Sequence, residues 1–151
     1  MKIMFFIAVL TLSISGFATG EKTKARSPNG GNVSLKLELP ESKFIIKKMF
    51  SEDFDFTSHD FGGAIITAHM DCVHYMQQAK KAPYSSCTVV QDDESFALDK
   101  KMSGKIFDSL SKAEFAPVGI DLGGAMYNTQ ISCTTFMDRS KKSDCVLTSV
   151  K

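Results

Sequence analysis

An internal repeat restricts the fold of this chain more than any other sequence feature. Residues 60–81 match residues 121–142 without a gap at eight of 22 positions. The matched positions hold an Asp, a Gly-Gly-Ala triplet, a Cys, a Met and a lysine pair, in the same order and spacing. Two copies are too few for a solenoid, which needs about three stacked units. We therefore expect the two copies to complete one shared core about an approximate two-fold axis.

The similarity is expected to extend upstream. Residues 41–49 share Glu-Ser and Lys-Lys-Met with residues 94–102, again without an internal gap. On this alignment the second copy carries eight extra residues between the two matched blocks. We expect repeat one to span about residues 33–92 and repeat two about residues 93–151.

The repeat also indicates how the four cysteines pair. Disulfides are the expected state in an exported chain, and the short C-x-x-C pairs of zinc sites do not occur. Of the three pairings that four cysteines allow, one gives each copy its own equivalent bridge. That pairing is Cys72–Cys87 with Cys133–Cys145. Each bridge closes a loop of roughly 13 to 16 residues and is expected to contribute ~3 kcal/mol to stability.

The first 20 residues have the pattern of a signal peptide. Lys2 precedes an apolar run of about ten residues, and small residues lead to Gly20. The run is short for a membrane span, which needs about 20 residues; an uncleaved N-terminal anchor is the alternative. We expect cleavage after Gly20, a flexible leader over residues 21–32 and one disulfide-stapled domain over residues 33–151. A secreted or periplasmic location follows, with no membrane contact after cleavage.

The charge balance disfavours two classes of partner. Removal of residues 1–20 takes away Lys2 and no acid, which leaves 17 basic residues against 17 acidic ones. Nucleic-acid binders normally present a basic surface to the phosphates. We therefore expect neither nucleic acid nor an anionic membrane as partner.

The hydrophobic pattern predicts an α+β protein with the order β-α-ββ-α-ββ. Residues 33–39 alternate apolar and polar side chains, which is typical of a half-buried strand. A helix is expected from Pro40 to about Phe50, and a strand with Phe44, Ile46, Lys48 and Phe50 on one face is the alternative. Asp92 or Asp93 is expected to cap the second helix. Each cysteine pair is expected to join the two strands of a hairpin. The halves would share a mostly antiparallel sheet, either as a duplicated ferredoxin-like sandwich or as two helix-plus-hairpin units about a pseudo-axis.

Catalytic and cofactor motifs are absent from the sequence. His69 and His74 fall on opposite faces of a predicted strand, and the second copy has no histidine at the corresponding positions. The chain contains no G-x-S-x-G motif, no calcium-loop spacing and no P-loop. We expect no catalytic residue, no metal and no cofactor, and predict that the protein is not an enzyme. An unrecognised hydrolase that uses His69, Asp71 or His74 is the less favoured alternative.

Two surfaces are candidates for contact with a partner. One is the pair of basic hairpin tips, which would suit an acidic partner and consist of Lys80, Lys81, Arg139, Lys141 and Lys142. The other is the apparent insertion over residues 113–120, where Phe115 and Pro117 are expected either to form an exposed patch or to cover the core.

The plan of tandem disulfide-bearing repeats resembles that of exported bacterial inhibitors such as the β-lactamase inhibitory proteins. This is a likeness of plan only, and it transfers no functional residue. Because the scaffold is expected to be stapled by disulfides and the sequence holds no catalytic or cofactor motif, we predict an exported protein-binding module that inhibits a secreted or envelope protein. The alternative is a structural envelope or surface component that associates with itself.

Overall fold

The fold is described from a computed structural model. The described parts of the chain are residues 32–58, 62–76, 81–120, 123–138 and 142–150. The expected signal peptide (1–20) lies outside the described residues, as does the expected leader (21–32) apart from Asn32.

The described residues form two helices and eight strands. In chain order they are β1 (Ser34–Lys36), α1 (Leu39–Ser51), β2 (Thr57–Ser58), β3 (Ala64–Tyr75), β4 (Tyr84–Gln91), β5 (Glu94–Ala97), α2 (Lys100–Lys112), β6 (Val118–Gly119), β7 (Ala125–Thr134) and β8 (Asp144–Ser149). One sheet has the order β1-β8-β7-β3-β4-β5, with β2 paired to the start of β3 and β6 to the start of β7. All these pairings are antiparallel. The α+β class and the antiparallel sheet agree with the prediction.

The order β-α-ββ-α-ββ is wrong in detail, because β2, β5 and β6 are additional strands. β5 occupies residues for which the sequence predicts the start of the second helix. Asp92 adopts a left-handed conformation, with φ of 50°, in the two-residue turn between β4 and β5. Asp enters this region more readily than most residues. The acidic residues that were expected to cap a helix therefore form a hairpin turn.

The two helices begin at different chemical signals. Pro40 lies at the start of α1, where a missing N–H breaks no helical bond, and Ile45 and Met49 are buried one turn apart. α2 begins after Asp99, whose carboxylate accepts a hydrogen bond from the Met102 backbone N–H at 2.8 Å. The expected α1 is confirmed to within a residue at each end, and the expected cap of α2 is corrected to Asp99.

Several features recur 61 positions apart in the two halves. α1 and α2 are both 13 residues long, and their first residues are 61 positions apart. Asp53 and Glu114 both have positive φ just after a helix. The residues that follow, Phe54 and Phe115, each donate the backbone N–H to a carbonyl in the last turn of the preceding helix, and both are buried.

These equal spacings show that the expected alignment of residues 41–49 with residues 94–102 is wrong. Glu41 and Ser42 lie in α1, whereas Glu94 and Ser95 lie in β5, so the matched dipeptides have different structures. The connection from helix to strand has the same length in both halves, since β2 and β6 also begin 61 positions apart. Residues 113–120 are therefore not an insertion, and the expectation of eight extra residues is wrong.

The helices and the disulfides lie on the same face of the sheet. Disulfides join β3 to β4 and β7 to β8, through Cys72–Cys87 and Cys133–Cys145. All four cysteines are fully buried. The Ser42 hydroxyl in α1 accepts the Cys145 backbone N–H at 3.1 Å, and Ser103 in α2 accepts that of Cys87 at 2.9 Å. Each helix is thereby attached to one disulfide-bonded hairpin.

The opposite face of the sheet is not covered by either helix. Along β3 the buried residues Ile66, Met70 and Cys72 alternate with more exposed neighbours, which is the period of a strand with one packed face. We call this second side the open face. In the central strands β3 and β7 it carries Ile65, Thr67, His69, Asp71, Val73, Tyr75, Met126, Asn128, Gln130, Ser132 and Thr134.

Candidate functional site

The structure places the expected contact residues in different environments. Lys81 and Lys142 are exposed and lie in the connections between β3 and β4 and between β7 and β8. Pro117 is also exposed, but Phe115 is only 4% exposed and belongs to the hydrophobic core. Of the two expected roles of Phe115, the structure has the second, because the side chain covers the core and does not form an exposed contact patch. The other expected contact residues lie outside the described residues, namely Lys80, Arg139 and Lys141.

A pair of stacked tyrosines marks one end of the open face. Tyr75 in β3 lies directly opposite Tyr84 in β4, and their ring centroids are 4.9 Å apart with an interplanar angle of 27°. The sequence contains a signal for this pair. Each tyrosine lies three residues outward from a cysteine of the Cys72–Cys87 bridge, so a hairpin that pairs the cysteines must also pair the tyrosines.

Two lysines join Tyr84 around a cavity at this end of the sheet. The cavity has a volume of about 550 Å³ and is lined by Lys81, Ala82, Pro83, Tyr84 and Lys100. The Nζ atom of Lys100 lies 4.9 Å from the centroid of the Tyr84 ring, within cation–π range. We call this cavity the Tyr–Lys cleft. It brings together the tip of the first hairpin and the first residue of α2, which are separated in the sequence.

The Tyr–Lys cleft has a local positive charge. Within the described parts of the chain, neither Lys81 nor Lys100 forms a salt bridge. The first turn of α2 contains no acidic residue, and the positive end of the helix dipole lies there. The Asp99 carboxylate is engaged in capping that helix. The whole chain has a formal net charge of only +1. The positive charge near Lys81 and Lys100 is therefore local to the cleft and does not reflect the charge of the chain as a whole.

The histidines do not form a catalytic cluster in the described structure. His69 is exposed on the open face, next to Gln130 of β7 and Val90 of β4. His74 lies on the inner face, where its Nδ1 atom is 3.0 Å from the Ser85 hydroxyl oxygen. Sequence reasoning missed this Ser–His pair, which resembles a nucleophile and its base. Ser85 is only 6% exposed.

A second cavity, of about 160 Å³, lies where α1 meets α2. The Nζ atom of Lys105 is 2.6 Å from Glu41 Oε1 and 2.6 Å from Glu38 Oε2. Burial acts to raise the pKa of Glu41, but the hydrogen bond and charge of Lys105, with a backbone hydrogen bond, lower it below the ordinary value of 4.5. Hydrogen bonds to Glu38 and Glu41 raise the pKa of Lys105. The second carboxylate oxygen of Glu41 is buried and has no hydrogen-bond partner among the described residues.

An exposed aromatic pair lies at the other end of β3. Phe56 is 56% exposed and packs edge-to-face on Phe50, with ring centroids 5.8 Å apart. Phe56 also lines a third cavity, of about 190 Å³, beside Thr67 and Gln91. Phe54 is a second aromatic residue only two positions before Phe56. The structure separates them, because Phe54 is buried against Phe96.

The described residues contain no candidate membrane-spanning helix and no candidate metal site. None of these helices combines the length and apolar character that a bilayer-spanning helix needs. No group of three or more His, Cys, Asp or Glu side chains among the same residues is placed to hold a metal ion.

Comparisons with protein-family models, with curated proteins and with solved structures found no match to this chain.

Proposed function

We propose that this chain is an exported protein-binding module that contacts its partner through the Tyr–Lys cleft. The observation that carries the proposal is the exposure of Tyr84, stacked on Tyr75 and flanked by two lysines that have no acidic partner among the described residues. Tyrosine is enriched among the residues that dominate the energy of protein interfaces, because it buries a large amphipathic ring at low entropic cost. We further propose that binding inhibits a secreted or envelope protein.

The scaffold beneath the cleft supports a binding role. The Cys72–Cys87 bridge cross-links the two strands that carry Tyr75 and Tyr84, and Ser103 attaches α2, which carries Lys100, to the same hairpin. A surface held in one conformation loses less entropy on binding than a flexible one. The arrangement therefore favours recognition by a preformed surface.

Export and duplication are parts of the same proposal. The signal-peptide pattern of residues 1–20 and the two disulfides are compatible with an oxidising compartment outside the cytosol. The recurrence of helix starts, helix lengths and buried Phe residues at a spacing of 61 supports descent from one duplicated unit. The Tyr–Lys cleft breaks this symmetry, since the second hairpin has Phe136 where the first has Tyr75.

Affinity capture with matched variants tests the proposed function. The full chain would be secreted with a C-terminal tag and recovered from the medium or envelope fraction, and the captured protein would then be purified for affinity measurement. Tyr84→Ala should weaken the affinity about 30-fold, as expected for a central aromatic contact. Phe56→Ala is the control. It removes an exposed aromatic ring near the opposite end of β3 from the Tyr–Lys cleft and should leave the affinity unchanged. Equal affinity of wild type and Tyr84→Ala, or no captured protein, would refute the proposal.

The exposed pair Phe50 and Phe56 favours a second candidate function, self-association in a surface structure. Exposed aromatic patches are common at protein interfaces, and this pair lies away from the Tyr–Lys cleft. Sedimentation velocity over a hundredfold range of concentration would decide. A dimer that Phe56→Ala dissociates would support this candidate, and a monomer at every concentration would exclude it.

A further inference from the structure

We infer that the segment of the partner that enters the Tyr–Lys cleft is an acidic peptide segment, with carboxylates placed near Lys81 and Lys100. The inference rests on the proposed function and specifies the chemistry of the partner. The proposed recognition of carboxylates is specific to the cleft, since a chain with a net charge of only +1 has no general attraction to anions.

The lysines of the Tyr–Lys cleft complement the charge of an acidic segment. The three described lysines that form salt bridges, Lys36, Lys48 and Lys105, lie elsewhere and already have acidic partners. Lys81 and Lys100 have none among the described residues and both line the cleft. An incoming carboxylate would therefore gain an attractive interaction without displacing an existing ion pair.

The Lys100 side chain is held in place by Tyr84 before a partner binds. Its ammonium group lies over the Tyr84 ring and so is held by the face of an aromatic system. This contact restricts a side chain that would otherwise sample many rotamers, so less conformational entropy remains to be lost on binding. A carboxylate that approaches the cleft thus meets a positive charge already in place.

The volume and lining of the cavity suit a peptide better than a small anion. Its volume of about 550 Å³ lies within the usual range of binding pockets. Pro83 and Tyr84 give it an apolar wall, so the occupant needs apolar atoms as well as negative charge. A peptide with acidic side chains supplies both, with its aliphatic or aromatic groups against Pro83 and the edge of the Tyr84 ring and its carboxylates toward the lysines. A bare inorganic anion supplies only the charge.

Selection from a random peptide library gives an unbiased test. Phage displaying random twelve-residue peptides would be selected on the immobilised full chain, and the affinity of the selected peptides would then be measured for wild type and for the double variant Lys81→Gln/Lys100→Gln. The selected peptides should be enriched in Asp and Glu, and their affinity should fall about tenfold in the double variant, from two exposed ion pairs lost together. Lys112→Gln is the control, because Lys112 is an exposed lysine at the other end of α2 that lines none of the cavities described above. Neutral or basic selected peptides would overturn the inference.

A competition experiment separates the peptide from other anions. Dextran sulfate and inorganic phosphate would be added to the complex with a selected peptide and with its Glu→Gln, Asp→Asn counterpart. The acidic peptide should bind at least tenfold more tightly than its amide counterpart and should resist millimolar phosphate. Displacement by phosphate, or dextran sulfate binding as tight as that of the peptide, would overturn the assignment to an acidic peptide.

Failure of this inference can be distinguished from failure of the proposed function. If the captured partner loses affinity for Tyr84→Ala but not for Lys81→Gln/Lys100→Gln, the cleft binds a protein and the acidic chemistry is wrong. If neither variant changes affinity, the cleft itself is the wrong site. Thermal unfolding of the lysine variants should match wild type because both lysines are exposed, and Tyr84→Ala should remain folded, having lost only the cross-strand stacking on Tyr75.

Discussion

Lys105 joins the two helices by contacting Glu41 at 2.6 Å, in a place where the carboxylate is almost fully buried. The positions 61 residues away hold Phe44 and Met102, both partly buried against the core. Both pairs of positions therefore take one residue from each helix, and the ionic pair has an apolar pair as its counterpart. The pair contributes less to stability than its Coulomb attraction indicates, because the buried Glu41 carboxylate loses hydration, whereas the Lys105 side chain is half exposed.

We expect the apolar pair to replace the ionic pair with little loss of stability. Lys105→Phe alone should destabilise the fold, because it leaves the buried Glu41 carboxylate without its cation. Adding Glu41→Met should restore stability to the wild-type level or above. Urea unfolding of the single and double variants would check this. A double variant less stable than the single one would contradict the interpretation.

The pH dependence of stability should change in the same double variant. The pKa of Glu41 is lowered by folding, so its contribution is complete above the unfolded value of about 4.5. That contribution should decrease as the pH falls from about 4.5 through the lower pKa of the folded state. The Lys105 pKa is raised, so its contribution should be lost only as the pH rises beyond 10.5. Unfolding free energies measured from pH 3 to 7 should fall less steeply in acid for the double variant.

Ser42 and Ser103 should be important for stability although neither reaches the surface. Each hydroxyl accepts the backbone N–H of a disulfide cysteine, at 3.1 and 2.9 Å. Substitution by Ala would leave that buried N–H without a partner, at a cost of about 1–3 kcal/mol per site. Ser111→Ala is the control, because Ser111 is exposed on α2 and Ala favours the helix. Equal stability of all three variants in urea unfolding would contradict this prediction.

Two glycines should respond to alanine in opposite directions. Gly104 lies inside α2, where an added Cβ would meet no atom within 4 Å, so Gly104→Ala should stabilise by about 1 kcal/mol. At Gly124 an added Cβ would lie 2.6 Å from the His74 carbonyl oxygen, which is backbone and cannot move aside. Gly124→Ala should therefore destabilise by about 1–3 kcal/mol. Thermal denaturation of the two variants should give melting temperatures on opposite sides of wild type.

Each disulfide should contribute separately to stability. The bridged cysteines are 15 and 12 positions apart, and loops of this size correspond to ~3 kcal/mol per bridge. Cys72→Ala/Cys87→Ala and Cys133→Ala/Cys145→Ala should each lower the unfolding free energy by roughly that amount. Peptide mapping of the unreduced wild type should recover only the two bridges within hairpins. Bridges that join one hairpin to the other would contradict both the structure and the duplication.

Sequence reasoning succeeded where a local pattern had one interpretation. The cysteine pairs followed from the repeat, and Pro40 with its buried periodic neighbours identified α1. It failed where two similar signals compete. Asp92 and Asp99 both have the chemistry of a helix cap, and only the pairing of residues 94–97 with β4 assigns the first to a turn and the second to the cap. Likewise, the spacing of Phe54 and Phe115 was overlooked because two coincident Glu-Ser dipeptides gave a different alignment.

By itself, the sequence determined the class of fold, the two hairpins and the facing tyrosines, because these depend on side-chain period and on residues near in the chain. The Tyr–Lys cleft was decided by tertiary structure, since Lys81 and Lys100 come together only when α2 packs on the first hairpin. Tertiary structure also decided that Phe115 is buried and Phe56 exposed. The physical reason is that burial and electrostatic contact depend on distances between distant segments, which packing of the whole sheet and both helices sets.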